Sequence, residues 1–128
     1  MIRFAPSAVA GALLAFSTIG AFAAAPVGTA TTPLGNIYVN EAGMTLYTFD
    51  NDTAGVSNCN GDCATNWPPL MAPAGSVAEG DWTIINRADG SPMWAYEGKP
   101  VYLWVNDTAP GQTTGDGRGG VWHVIIAD

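Results

Sequence analysis

Basic side chains are scarce. Four Lys and Arg stand against eleven Asp and Glu in 128 residues, a formal net charge of −7. Such a balance repels phosphate backbones and anionic headgroups, so nucleic-acid binding is excluded on charge. Histidine occurs once, as His123, too few for an imidazole metal cluster or an assignable catalytic triad. Ser57, Ser76 and Ser91 lie in no nucleophile-elbow context. Long apolar runs are missing as well: AVAGALLAFSTIGAF falls short of the roughly 20 residues that a spanning helix needs. No segment keeps a 3.6-residue apolar period, and 16 Gly with 9 Pro interrupt the chain, which excludes long helices.

What is present begins with an export signal. MIRFAPS carries the start amine and Arg3, the apolar stretch follows, and Ala21-Phe22-Ala23 offers small residues around a cut. Residues 1–23 read as a secretory signal peptide, cleaved near Ala23. No Cys lies near that point, so the expectation is a released chain, periplasmic or secreted, without lipidation and without membrane insertion after cleavage. About 105 residues then remain, enough for one domain with a modest core. Five Trp, four Tyr and Phe49 all fall there, so aromatic burial must carry much of that core.

Cys59 and Cys63 are the only cysteines. In an exported chain an even count predicts a disulfide, here closing the short loop CNGDC. The chain-entropy estimate gives roughly 2 kcal/mol for such a loop. A redox-active or metal-binding dithiol is the alternative, but CxxxC is neither the thioredoxin nor the zinc spacing, and no base sits nearby in sequence to lower a thiol pKa.

Residues 43–70 recur at 98–125 without a gap, at an offset of 55. Gly43/Gly98, Tyr47/Tyr102, the run 51–54/106–109 and Trp67/Trp122 are identical, and Phe49 answers Trp104. An ungapped register of this kind predicts one structural unit used twice. Short β-prone runs at 36–40 and 44–50 surround Glu41-Ala42-Gly43; those at 92–96 and 101–106 surround Glu97-Gly98-Lys99. Further runs occupy 82–87 and 121–127. The prediction is an all-β, small sandwich- or barrel-like domain at 36–128, made of two hairpin-plus-strand repeats about a pseudo-two-fold axis. Residues 24–35, small and turn-forming, read as a flexible lead-in.

Both repeats fit Tyr-x-(Phe/Trp)-x-x-Asp: Tyr47, Phe49 and Asp52; Tyr102, Trp104 and Asp107. Residues two apart on a strand share a face, so each aromatic pair should enter the core, and each Asp should cap its long loop by accepting backbone N–H bonds. On that reading Asp→Asn is mild at either site. Trp67 and Trp122 then return the chain to the same core. Together with Cys59, Cys63, Trp67-Pro68-Pro69-Leu70 and Gly120-Val121-Trp122-His123, these residues make the chain similar to the bacterial secreted-repeat family, also described as lipoproteins with a Tyr-x-(Phe/Trp/Tyr)-x-x-Asp motif. The resemblance covers nearly all of the chain past the leader. It implies an exported repeat protein and no particular activity.

Three readings of the motif remain open, two of them with a ligand. Asp50, Asp52, Asp62, Asp107 and Asp116 could form oxygen-rich loops of Ca²⁺ type. An EF-hand register from Asp50 finds Asp52 and Gly55 in place, but Ala54 and Gly61 at ligand positions. Five Trp could instead expose an aromatic strip to a glycan or a peptide, in which case two or more indoles should face solvent. The third reading is a purely structural motif. TGDGRGG lacks the P-loop Lys and Ser/Thr, and no motif calls for a cofactor. The chain is therefore expected to be a non-enzymatic binding or structural module of the envelope, its partner an envelope protein or glycan.

Overall fold

A computed structural model describes residues 23–128. The expected signal peptide lies outside the described residues but for Ala23, which bridges to Ser76. Strands β1 (Val27–Thr32) and β2 (Gly35–Asn40) are followed by β3 (Tyr47–Phe49), the one-turn helix α1 (Asp62–Asn66), β4 (Trp82–Asn86), β5 (Pro92–Tyr96), β6 (Lys99–Pro100) and β7 (Trp122–Val124). The described chain is thus all-β but for α1 and a 3₁₀ turn at Arg118–Gly120. β1 pairs with β2, β3 with β7, and β4 with β5 and β6, all antiparallel.

Residues 24–35 are no flexible lead-in. β1 occupies most of them and pairs along its whole length with β2, from Val27↔Asn40 to Thr32↔Gly35. Thr32 Oγ1 closes the Pro33-Leu34 turn by accepting from Leu34 N–H and donating to the Gly35 carbonyl. Alternation is weak here because β1 is largely exposed, so the segment lacks the apolar period by which a half-buried strand announces itself.

The repeat therefore starts earlier than residue 43, with β1–β2 answering β4–β5. Val27 pairs with Asn40 but Trp82 with Tyr96, so the second hairpin is one residue longer. The turn that follows it is one residue shorter: Glu97 (φ 51) and Gly98 (φ 81) form a two-residue turn, while Glu41-Ala42-Gly43 is a three-residue one ending at Gly43 (φ 83). The two changes cancel at Gly43/Gly98. Loop length selects the turn type, and the two repeats differ at both of these turns.

Each repeat's return strand lies in the other repeat. Residues 122–127 pair with β3 and β2, through Phe49↔Trp122 and Tyr47↔Val124 and through Tyr38 N–H to the Ile125 carbonyl. Residues 67–72 do the same in the second repeat, through Leu103 N–H to Pro68 and Trp94 N–H to Leu70. Ile37↔Ile126 and Met71↔Met93 are matching bridges. On the axis, Tyr47 and Tyr102 exchange both backbone hydrogen bonds, at 2.8 and 2.9 Å.

The core has two parts. Leu46, Leu70, Ala72, Trp82, Trp94, Val101 and Ile125 form an apolar layer, and Tyr47, Cys59, Trp67, Met93, Tyr102, Trp104 and Trp122 form an aromatic one.

Candidate functional site

The aromatic layer is built around a four-ring stack. Phe49 lies on Trp122 at 4.2 Å, Trp122 on Trp67 at 3.8 Å and nearly parallel, and Trp67 on Trp104 at 4.1 Å. The two-fold passes between the central indoles. Tyr47 meets Trp67 edge-on and Tyr102 meets Trp122 edge-on, each at 5.3 Å. The Arg118 guanidinium closes the Trp104 end at 4.6 Å, a cation–π contact. All five Trp are at most 9% exposed. The solvent-facing indole strip that a stacking glycan site requires is not formed.

The two motifs are joined crosswise. The Tyr47 hydroxyl donates to Asp107 Oδ2 and the Tyr102 hydroxyl to Asp52 Oδ2, each at 2.6 Å. Tyrosine and aspartate of one motif thus never meet; each phenol finds the carboxylate of the other repeat. The remaining carboxylate oxygens hold the long loops: Asp52 Oδ1 accepts from Asn58 N–H at 2.6 Å, and Asp107 Oδ1 from Thr114 N–H at 2.9 Å and the Thr114 hydroxyl at 2.6 Å.

The phenol oxygens are reached differently in the two halves. Gly115 N–H donates to the Tyr47 oxygen at 3.1 Å. A Cβ at Gly115 would stand 2.8 Å from the Trp67 ring, so only glycine lets the backbone come this close. At Tyr102 the neighbour is buried Ser57, which must donate because the phenol's single proton points to Asp52. Ser57 Oγ in turn accepts from Arg87 Nη1 at 3.2 Å. The result is a directed chain, Arg87 to Ser57 to Tyr102 to Asp52.

Arg87 is 8% exposed and also donates through Nη2 to the Cys59 carbonyl (2.8 Å) and Asn60 Oδ1 (3.1 Å). It ties β4 to the loop held by the Cys59–Cys63 disulfide, whose Cα atoms are 5.2 Å apart. Sequence reasoning placed Arg87 at the end of a β run and Ser57 outside any nucleophile context, and gave neither a role. The one available signal was a lone Arg ending an otherwise uncharged β run.

The five aspartates of the Ca²⁺ reading are not brought together. Asp50 pairs with half-exposed His123 at 2.8 Å, Asp116 accepts from Val124 N–H at 3.0 Å, and exposed Asp62 opens α1. Asp52 and Asp107 serve opposite halves. Among the described residues no three His, Cys, Asp or Glu side chains gather as an ion site. The physical reason is that these oxygens accept N–H and O–H donors along two loops and do not converge on one point.

Because Asp52 and Asp107 use both oxygens, the effect of Asp→Asn depends on how deeply each is buried, and it is mild only at Asp52. Asn keeps one acceptor and turns an NH₂ toward a donor. Asp107 is buried with three donors, so Asp107→Asn should cost about 1–3 kcal/mol. Asp52 is partly exposed, and water can replace a lost partner there, so Asp52→Asn should cost about 1 kcal/mol or less. Urea denaturation of both variants checks this; equal losses would refute the assignment.

Both phenols are held above their ordinary value of 10.0, first by burial and then by the carboxylate bond to Asp107 or Asp52. Burial also raises Asp52, against the lowering effect of the Tyr102 hydrogen bond. For the tyrosines the sign is definite: above about pH 10 the unfolded chain releases protons that the folded state keeps, so stability falls with rising pH. Each phenol contributes a slope of about 1.4 kcal/mol per pH unit until its own folded pKa is reached. Melting temperature should be level to about pH 9 and drop beyond about pH 10, with a shallower drop in Tyr102→Phe. A flat profile through that range would contradict the geometry.

These observations define a class: an all-β double repeat whose halves exchange return strands and motif partners across a pseudo-two-fold. The chain belongs to the family described as a secreted repeat of unknown function, which it matches over residues 28–71 and 83–126. No curated protein and no solved structure matches the chain. Among the described residues no helix is long and apolar enough to cross a membrane.

Proposed function

We propose that the protein is an exported binding or structural module of the cell envelope, periplasmic or released, without catalytic activity of its own. The observation that supports this reading is the use to which the family motif is put. Tyr47 and Tyr102 are fully buried, and their hydroxyls are spent on Asp107 and Asp52, so the motif builds a scaffold. Recognition is then left to the loops and hairpins that the scaffold holds rigid, which is where variable binding surfaces commonly sit. An envelope protein fits better than a glycan as the partner, because the indoles that would stack on sugar rings are inside.

The test is fractionation of expressing cells by osmotic shock, followed by cross-linking in intact cells and co-sedimentation with purified cell-wall polysaccharide. A discrete cross-linked protein with no co-sedimentation is the expected result. Recovery in the cytoplasm would sink the export half. Polysaccharide binding, or a chain that remains uncross-linked, would sink the partner half.

A further inference from the structure

We infer that the aromatic layer is a proton-coupled relay for oxidising equivalents, in which a one-electron vacancy taken up by the tryptophan stack comes to rest on Tyr102 and Tyr47 while each phenol proton passes to its carboxylate.

The geometry supplies each element of such a relay. Four rings stack at 3.8–4.2 Å, so an electron vacancy created anywhere in the stack reaches its centre through π contacts. Arg118 places a positive charge 4.6 Å from the Trp104 ring, and this disfavours a second positive charge there. The two carboxylates stand on the central side, hydrogen-bonded to the very phenols that contact Trp67 and Trp122 edge-on. Electrostatics therefore drives a radical cation from the Trp104 end toward the middle.

The step balances as written. An outer-sphere one-electron oxidant takes an electron from the stack, leaving an indole radical cation on Trp122. Tyr102 gives an electron to Trp122, and its O–H proton moves along the 2.6 Å hydrogen bond to Asp52 Oδ2. The products are a neutral indole, a neutral tyrosyl radical and a carboxylic acid. A one-electron donor reverses the step, and Asp52 returns the proton. Without the carboxylate the phenol would have to lose its electron and keep its proton, a high-energy cation in a buried site.

Tyr47, Trp67 and Asp107 repeat the arrangement across the axis, but the two arms differ in access. Asp52 is partly exposed and lines a surface cavity of about 270 Å³ with Phe49, Thr53 and Lys99, so its acquired proton can exchange with water and be regained on the return step. Asp107 is buried and holds its proton beside Tyr47. Burial raises Asp52 above its ordinary value, which favours its taking up the phenol proton. A module with this core would absorb one-electron oxidants in an oxidising compartment before they reach Met93 or the Cys59–Cys63 disulfide, both in contact with the same layer. The relay turns over no substrate, and it stands or falls independently of any binding partner.

The experiment is flash oxidation of the full exported protein with photogenerated ruthenium(III) tris-bipyridine at neutral pH, read by transient absorption and by electron paramagnetic resonance. The expected result is a tyrosyl signal whose formation slows in D₂O. Tyr47→Phe/Tyr102→Phe, which keeps Tyr38, Tyr96 and every Trp, should lose that signal and retain a tryptophanyl one. Asp52→Asn should lose the share carried by Tyr102, with near-ultraviolet circular dichroism confirming the fold. A tyrosyl signal that survives the double Phe variant would overturn the assignment to Tyr47 and Tyr102. A tryptophanyl signal alone in the unaltered protein, or a rate indifferent to D₂O, would overturn the relay whether or not the variants fold.

Discussion

Trp67→Ala should bring the domain to the edge of unfolding at room temperature. Trp67 is the inner layer of the stack, sandwiched between Trp122 at 3.8 Å and Trp104 at 4.1 Å and met edge-on by Tyr47. Truncating a buried Trp to Ala costs about 3–5 kcal/mol in lost burial and residual cavity, against a total of about 5–15 kcal/mol for an ordinary domain. Collapse cannot fill the gap cheaply, because three of its walls are rigid rings. Trp122→Ala should cost the same, since Trp122 is its two-fold mate. Phe49→Ala, at the half-buried end of the stack, should cost distinctly less. Urea titrations followed by far-ultraviolet circular dichroism give the comparison. Losses below about 1.5 kcal/mol at Trp67, or a larger loss at Phe49, would show that the stack is not the centre of the core.

Removing residues 122–128 should unfold both repeats, although the deletion is confined to the end of the second. The segment supplies β7, the strand that pairs with β3, and the Tyr38 and Asn36 contacts that close the first repeat. It also removes Trp122 from the stack. By contrast, a single cleavage within residues 73–80, outside both repeats and away from the aromatic layer, should leave the two fragments associated. Their interface is the whole core. Size-exclusion chromatography before and after mild denaturation distinguishes the cases: the nicked protein should elute intact and separate only in denaturant, and the truncated chain should elute as an expanded coil. A truncated chain that keeps a folded first repeat would disprove the exchange of return strands.

Much of the architecture was legible because it is written in local chemistry. Turn residues and β-branched or aromatic runs marked the strands at 36–40, 82–87 and 92–96, and β2, β4 and β5 lie there. The ungapped register from residue 43 exposed the repetition, and the exported context gave the Cys59–Cys63 bond. The repeat before residue 43 was illegible for an equally local reason. A one-residue longer hairpin and a one-residue shorter turn shift β2 against β5, while exposed β1 lacks an apolar period to reveal itself. The aspartates misled because Asp and Gly in a loop look the same whether they surround an ion or accept N–H bonds. Only their partners tell these apart.

From the sequence alone came the all-β class, the twofold repetition, the disulfide and the inward aromatics, since each depends on residue type and spacing within a short window. Tertiary structure alone decided that Tyr47 belongs to Asp107 and Tyr102 to Asp52, and that Trp67 and Trp122 stack on one another. It also decided that Arg87 becomes buried among carbonyl and hydroxyl acceptors. Those partners are separated by 60 and 50 residues for the phenols. Identical motifs offer identical partners within and between repeats, so local pattern cannot distinguish the two pairings. Strand geometry does: each return strand crosses the axis, and a Tyr directed to the centre meets the loop that descends from the opposite side.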